Sequence, residues 1–237
     1  MSLFHFKEFI IDQENCPMKI NTDGVLLGAM ADVKNATHIL DIGTGTGVIA
    51  LMVAQRNRNA IIDGIDVDHI AYEKSNHNFE NSLFHAQLKA HHHSFKDYFD
   101  VNPQKKYDLI ISNPPYYLNA LQSPKASKNI SKHTDEQFFL DLLNSAKNHL
   151  NEDGTLEVIV PVDISLFLQN TAPDYGLYAK NCIKIKSYQD KAHIRHIISF
   201  SKQKLSDLNF QEFYIYESPG VHSLQYKAAL KNFFKIF

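Results

Sequence analysis

Asn113-Pro114-Pro115-Tyr116 is the segment of this chain with the clearest chemical potential. Two consecutive prolines remove two N–H donors and restrict the backbone, so the turn is rigid and its carbonyls are left as acceptors. A planar amino group on a base or an amide is a poor nucleophile, because its lone pair is delocalised. If the Asn113 side-chain oxygen and the Pro114 carbonyl accept its two hydrogens, they favour the tetrahedral geometry that develops as the nitrogen attacks. Tyr116 adds a flat face on which a splayed base can stack. A structural Pro-Pro turn ending a buried strand, with Tyr116 as a packed aromatic, is the competing reading. Position decides between them: the loop follows a glycine-rich turn by one further βαβ unit and falls at the same sheet edge.

That turn is Asp41-Ile42-Gly43-Thr44-Gly45-Thr46-Gly47, which leads from an apolar strand into the helix-like stretch Val48–Gln55. Glycines let a backbone turn tightly and approach a ligand, and a helix N-terminus offers free N–H groups. GxGxG lacks the spacing of the dinucleotide GxGxxG fingerprint, and Asp41 would repel a pyrophosphate but suits a cationic amino acid moiety. Asp66 ends the next strand, Ile61–Asp66, where a carboxylate can accept from both hydroxyls of a ribose. The alternative for Asp66 is a helix N-cap before His69–Glu80, a role that Asp68 fills better. His91, His92 and His93 suggest a metal, but successive strand residues point to opposite faces and no further ligand is placed to complete a shell, so no metal is expected.

Strand-like runs at His38–Ile42, Ile61–Asp66, Tyr107–Ser112 and Leu156–Pro161 alternate with helix-like stretches, the order that builds a parallel sheet covered on both faces. Phe138, Phe139, Leu142, Leu143, Ala146 and Leu150 share one face of a helix expected over Asp135–Leu150, and Gly154 is expected to end the turn after it. Tyr178–Lys186, His193–Ser201 and Phe210–Tyr216 then read as a hairpin-rich antiparallel edge, and His222–Phe237 as a helix folding back. No repeat or linker divides the 237 residues, so residues 1–237 are expected to form a single domain, with 1–37 as an N-terminal segment packing near the cofactor.

Cys16 and Cys182 form no CxxC pair, which argues against a disulfide framework and suits a reduced cytoplasm. No apolar run reaches ~18 residues, so neither export nor a membrane span is expected. The net charge is only −2, but Lys180, Lys184, Lys186, Lys191, Arg195, Lys202 and Lys204 face the single acid Asp190 over one stretch. That run is either a solvated face or a polyanion-binding surface.

Asp41–Gly47 followed by Asp66 resembles the first motif and ribose acid of class I S-adenosylmethionine (SAM)-dependent methyltransferases, and Asn113–Tyr116 resembles the fourth motif of those that methylate amino groups. The resemblance implies a Rossmann-like, doubly wound, mostly parallel α/β sheet with an antiparallel C-terminal edge. It also implies SAM held by Asp41, Gly43, Gly45, Thr46, Gly47, Asp66 and Val67, and catalysis by orientation at Asn113, Pro114, Pro115 and Tyr116 without a metal. The family's adenine contact falls at Ser94, with Asp97 as the alternative.

Both ends narrow the choice. Phe6–Phe9 with Met18–Ala29, Lys132-His133-Thr134, and Pro219–Ser223 with Tyr226, Leu230, Phe233 and Phe234 are similar to bacterial valine tRNA (adenine-37 N6)-methyltransferases. This resemblance places Thr22 and Asp23 beside the SAM methionine moiety and makes tRNA the partner. Lys125, Lys128 and Lys132 would flank the entering nucleotide, and a cytoplasmic monomer is expected. Release-factor glutamine methyltransferases share the Asn-Pro-Pro-Tyr loop but carry a preceding helical domain, for which the ~40 residues before Asp41 are too few. Ribosomal guanine-N2 and DNA adenine methyltransferases fit less well. The former favour Phe at the Tyr116 position, and the latter need added recognition structure. A non-catalytic binding module or a nucleotide-dependent oxidoreductase is disfavoured by the intact loop and the glycine spacing, respectively.

Overall fold

The computed structural model describes the backbone of residues 2–114 and 126–237, and the side chains of 2–114 and 136–237. Among the described residues a nine-stranded sheet carries the site. In spatial order it runs β11 (Val221–His222), β10 (Asn209–Ser218), β8 (Tyr178–Tyr188), β9 (His193–Ser201), β7 (Leu150–Val160), β6 (Tyr107–Ser112), β3 (His38–Ile42), β4 (Ile61–Asp66) and β5 (Leu88–His92). From β7 to β5 every neighbour is parallel. β3, β4 and β6 are buried almost throughout because both of their faces are covered, as in parallel sheets.

One face packs under α1 (Thr22–Met30), α2 (Val48–Arg56), α3 (His69–Glu80) and α7 (Leu224–Leu230), around Leu26, Leu51, Ile39 and Phe79. The other packs under α4 (Phe95–Val101), α5 (Ala126–His149) and α6 (Val162–Thr171), around Leu40, Ile110, Leu143 and Val158. β3, β4, β6 and the helix after the glycine turn fall where the sequence puts them, whereas β5 is not among the strand-like runs.

Four expectations need correction. The C-terminal edge is antiparallel in part as expected, since β9 is antiparallel to both β7 and β8 and lies between them, but β10 is parallel to β8, so of β8, β9 and β10 only the first two form a hairpin. Apolar alternation marks a strand without naming its neighbour. β7 begins at Leu150 and takes in Gly154, where a Cβ would meet the Tyr107 carbonyl oxygen at 2.8 Å. Gly154 therefore permits close approach of two strands across a register shift instead of ending a turn. α5 starts earlier than expected, at Ala126. The C-terminal helix spans only Leu224–Leu230, and the chain beyond it returns to the N-terminal segment, where Lys7 N donates to the Phe233 carbonyl at 2.8 Å and Phe6 bridges Phe234.

A short hairpin, β1 (Leu3–His5) with β2 (Ile10–Asp12), closes this end. Asn78 of α3 fastens it to the glycine turn. Its Nδ2 donates to the carbonyls of Asp12 (3.0 Å) and Thr46 (2.9 Å), and its Oδ1 accepts from Asp12 N at 2.9 Å. A buried amide with these contacts locks the turn to two other elements at once.

Candidate active site

The glycine turn is built by backbone hydrogen bonds. Gly43 N and Thr44 N both donate to the Ile65 carbonyl, at 2.9 and 3.0 Å, and Gly47 N closes on the Thr44 carbonyl at 2.8 Å. Gly47 has a φ of +81° and sits so near α3 that a Cβ would lie 2.4 Å from the Phe79 ring. Both the backbone conformation and the packing exclude a side chain there.

Asp66 braces this turn from the next strand. Its Oδ2 accepts from Gly45 N and its Oδ1 from Asp68 N, each at 2.9 Å, and a carboxylate with two such contacts still has lone pairs for two hydroxyls. Burial raises its pKa, with the neighbouring Asp68 charge acting in the same sense against the backbone hydrogen bonds. Asp68 caps α3 by accepting from Ala71 N at 2.9 Å. The cap of α3 is thus Asp68, as the sequence suggests, which leaves Asp66 free of that role.

Asp41 is wholly buried at the foot of the turn. Thr44 Oγ donates to its Oδ2 at 2.7 Å, whereas its Oδ1 has no hydrogen-bond partner. Desolvation pushes its pKa up to about 7, opposed by the Thr44 hydroxyl and by the Ala50 N–H in the first turn of α2. A buried carboxylate oxygen without a donor is costly unless a ligand supplies one, and a cationic amino group meets that need.

A cavity of about 540 Å³ opens along the C-terminal ends of β3, β4, β5 and β6, where ligands bind in open α/β sheets. Gly43, Asp66 and Val67 form one wall, His93, Ser94 and Phe95 the next, and Asn113 and Pro114 the mouth. Ser112 Oγ donates to the Ile42 carbonyl at 2.8 Å, tying the end of β6 to the end of β3 just before Asn113. Asn113 is buried, and its Nδ2 lies 3.5 Å from Asn21 Oδ1. A small recess beside the main cavity is lined by Lys19, Asn21, Gly24, Gly45, Thr46 and Asn113 among others.

The other expected site residues divide. Thr46 is buried in the turn and Val67 lies exposed on the cavity rim. Thr22 and Asp23 open α1, but Asn21 and Gly24 are the α1 residues that line the recess, and Asp23 accepts from Arg195 Nε at 2.8 Å. Ser94 lines the cavity and caps α4, and its Oγ donates to Asp97 Oδ2 at 2.7 Å. Asp97 is thereby drawn to Ser94 as a helix-cap partner. The three histidines go separate ways: His91 to Asp63 at 2.7 Å, His92 to the Val67 carbonyl at 3.1 Å, and His93 to the cavity wall. Pro115, Tyr116 and Lys125 lie outside the described residues, as do the side chains of Lys128 and Lys132 on α5. Asn21 was not singled out by sequence reasoning, although an Asn three residues before a Gly at a helix start is a capping signal.

SAM fits the cavity, with Asp66 on its wall for the ribose and apolar surface at Ile42, Ile65 and Phe95 for the base, while the partnerless oxygen of Asp41 lies wholly buried beneath the glycine turn and supplies the charge that suits an ammonium. The turn, the acid on the second strand and the cavity above the sheet edge are those of a class I SAM-dependent methyltransferase. The family model described as methyltransferase small domain matches residues 21–166. A protein named tRNA1(Val) (adenine(37)-N6)-methyltransferase from Pedobacter heparinus is 43% identical over 99% of this chain and 98% of its own length. One of the same name from Actinobacillus pleuropneumoniae is 37% identical over 98% and 96%. The chain belongs to the tRNA1(Val) (adenine(37)-N6)-methyltransferase family. A predicted O-methyltransferase of known structure from Agrobacterium tumefaciens superposes with a TM-score of 0.66 at 20% identity, over 89% of this chain and 95% of that one, and shows the same fold. No helix among the described residues is long and apolar enough to cross a membrane.

Proposed function

We propose that this chain methylates the exocyclic N6 of adenine-37 in the anticodon loop of a valine tRNA, acting as a monomer in the cytoplasm. The observation that carries the chemistry is Asn113, buried at the mouth of the cavity where β6 ends and Pro114 begins. Bound SAM supplies an electrophilic methyl group. Asp66 and Ser94, both on the cavity wall, would hold its ribose and its base, and Asp41 beneath the glycine turn would supply the counter-charge for its ammonium. Asn113 Oδ1 and the Pro114 carbonyl accept the two N6 hydrogens and hold the nitrogen lone pair toward the donor. One of these protons leaves to solvent once the nitrogen has reacted. Tyr116 stacks on the base, and Pro115 stiffens the turn that presents both acceptors.

An adenine in an RNA loop is already unpaired, so bringing it into a pocket costs less than extruding a duplex base. Its phosphates need cations, which Lys125, Lys128 and Lys132 supply close to the loop. The run from Lys180 to Lys204 lies on β8, β9 and their flanks, but its charge is partly neutralised. Lys186 pairs with Glu212 at 2.8 Å, Lys191 with Asp190 at 3.5 Å, and Arg195 with Asp23. Lys180, Lys184, Lys202 and Lys204 are then the members of that run best suited to a tRNA stem.

The test is transfer of labelled methyl from SAM to unmodified valine tRNA and to release factor in parallel, with Asn113→Ala as control. Label in N6-methyladenosine is expected, with turnover about a hundredfold lower in the variant while SAM still binds. Label only in release-factor glutamine would overturn the substrate and leave the methyltransferase chemistry standing.

A further inference from the structure

Asn21 stands outside the glycine turn and the Asn-Pro loop, yet its side chain touches one of them. Its Oδ1 caps α1 by accepting from Gly24 N at 2.8 Å. The same atom lies 3.5 Å from Asn113 Nδ2, across 92 residues of sequence. Gly24 lies against both amides: a Cβ there would make ordinary contact with Asn21 Oδ1 at 3.5 Å and Asn113 Nδ2 at 3.6 Å. The two ends of an amide are told apart by what they bond. A backbone N–H can only donate, so the Asn21 atom at the cap is an oxygen. That oxygen faces Asn113 at the long end of hydrogen-bond distance, and of the two ends of the Asn113 amide it favours the NH2 group there. With the Asn113 amide reversed, two carbonyl oxygens would face each other at the cap. Resting on the assignment of Asn113 to chemistry, we propose that Asn21 is a positioning residue, which fixes the flip state of the Asn113 amide so that its oxygen is the end offered to the target amine.

Capping and positioning can be separated by substitution. Serine caps helices as well as asparagine does, but its hydroxyl is one atom shorter and withdraws from Asn113. Aspartate keeps an acceptor for both Gly24 N and Asn113 Nδ2. Melting temperature, SAM affinity, KM for tRNA and kcat would be measured for Asn21→Ser, Asn21→Asp and Asn113→Ala. For Asn21→Ser the expected result is a kcat about tenfold lower at unchanged melting temperature and SAM affinity, as for a lost contact that matters only as the transition state forms. Asn21→Asp should recover most of that loss. Wild-type turnover in Asn21→Ser, or an equal loss in Asn21→Asp, overturns the proposal while a defective Asn113→Ala leaves the catalytic assignment intact. Wild-type turnover in Asn113→Ala overturns both.

Discussion

Asp41→Asn removes the one buried oxygen of the glycine turn that has no donor, and its consequences can be worked from the geometry. In the folded protein without cofactor, desolvation raises the Asp41 pKa from 3.8 to about 7. The folded state therefore binds more protons than the unfolded state between roughly pH 4 and 7, so stability falls as the pH rises through that window and levels off above it. At about 1.4 kcal/mol per pKa unit, the ionised buried carboxylate costs wild-type protein on the order of 4 kcal/mol at pH 8, and about 2–3 kcal/mol of this develops between pH 5 and 8. Asparagine has no such titration. Urea unfolding of cofactor-free protein at pH 5 and pH 8 should show the variant gaining about 2–3 kcal/mol on the wild type across that interval. Glu157, whose pKa burial also pushes up to about 7, is common to both proteins and cancels in the comparison. The same variant should bind SAM more weakly at pH 8, because the ammonium has lost its counter-charge. Calorimetry in buffers of different ionisation enthalpy should find proton release on SAM binding near pH 6 in the wild type only. Parallel stability curves for the two proteins from pH 5 to 8 would refute the buried ionisation, and equal SAM affinity would refute the ammonium contact.

Asp66→Ala should weaken SAM binding by about 2–3 kcal/mol, since charge-assisted hydrogen bonds to the ribose and the brace on Gly45 N are lost together; unchanged affinity by calorimetry removes Asp66 from the site. Gly47→Ala places a Cβ 2.4 Å from Phe79 at a φ of +81° and should lower stability by about 2–4 kcal/mol, read from chemical denaturation; a melt like that of the wild type would show that α3 yields easily. Replacing Lys128 and Lys132 together by Ala should weaken tRNA binding and lower the slope of log affinity against log salt by about one to one and a half, with SAM affinity unchanged; an unaltered slope places the phosphate contacts elsewhere.

What could be read in advance was whatever depends on neighbours in sequence. β3, β4 and β6 are visible because strands buried on both faces carry short clusters of Ile and Leu, and the glycine turn because positive φ restricts its residues. Asp66 and Asp68 could be separated because a cap must stand immediately before its helix. The early start of α5 was hidden, since Ser127, Asn129, Ser131, His133 and Thr134 offer no apolar period. The placement of β9 between β7 and β8 was equally hidden, because strand order is a property of the whole sheet. His91 illustrates the limit from the other side. Next to two more histidines it invites a metal, but it is held by Asp63, which Lys105 and Tyr107 also contact at 2.8 and 2.9 Å. Against the cost of burial these three donors keep Asp63 strongly acidic, and they come from segments remote from it in sequence, His91 near the end of β5, Lys105 just before β6 and Tyr107 at its start.

The N-terminal segment and α1 meet the sheet through amides at both motifs that matter. Asn78 joins β2 to the glycine turn, and Asn21 joins α1 to Asn113. Charge is used farther out, where Arg195 of β9 holds Asp23 in the first turn of α1. This division has a physical reason. A carboxylate at position 113 could accept the target's hydrogens, but it would also titrate, repel phosphates and pull the SAM cation out of place. An amide oxygen accepts without changing charge, but an amide is directional only if something fixes which end is which. On the proposed reading the acids serve the cofactor, Asp66 from the cavity wall and Asp41 from beneath the glycine turn, and the amides serve a neutral amine. If Asp41 and Asn113 act as proposed, pH dependence belongs to cofactor binding through Asp41, while the reacting nitrogen is governed by geometry.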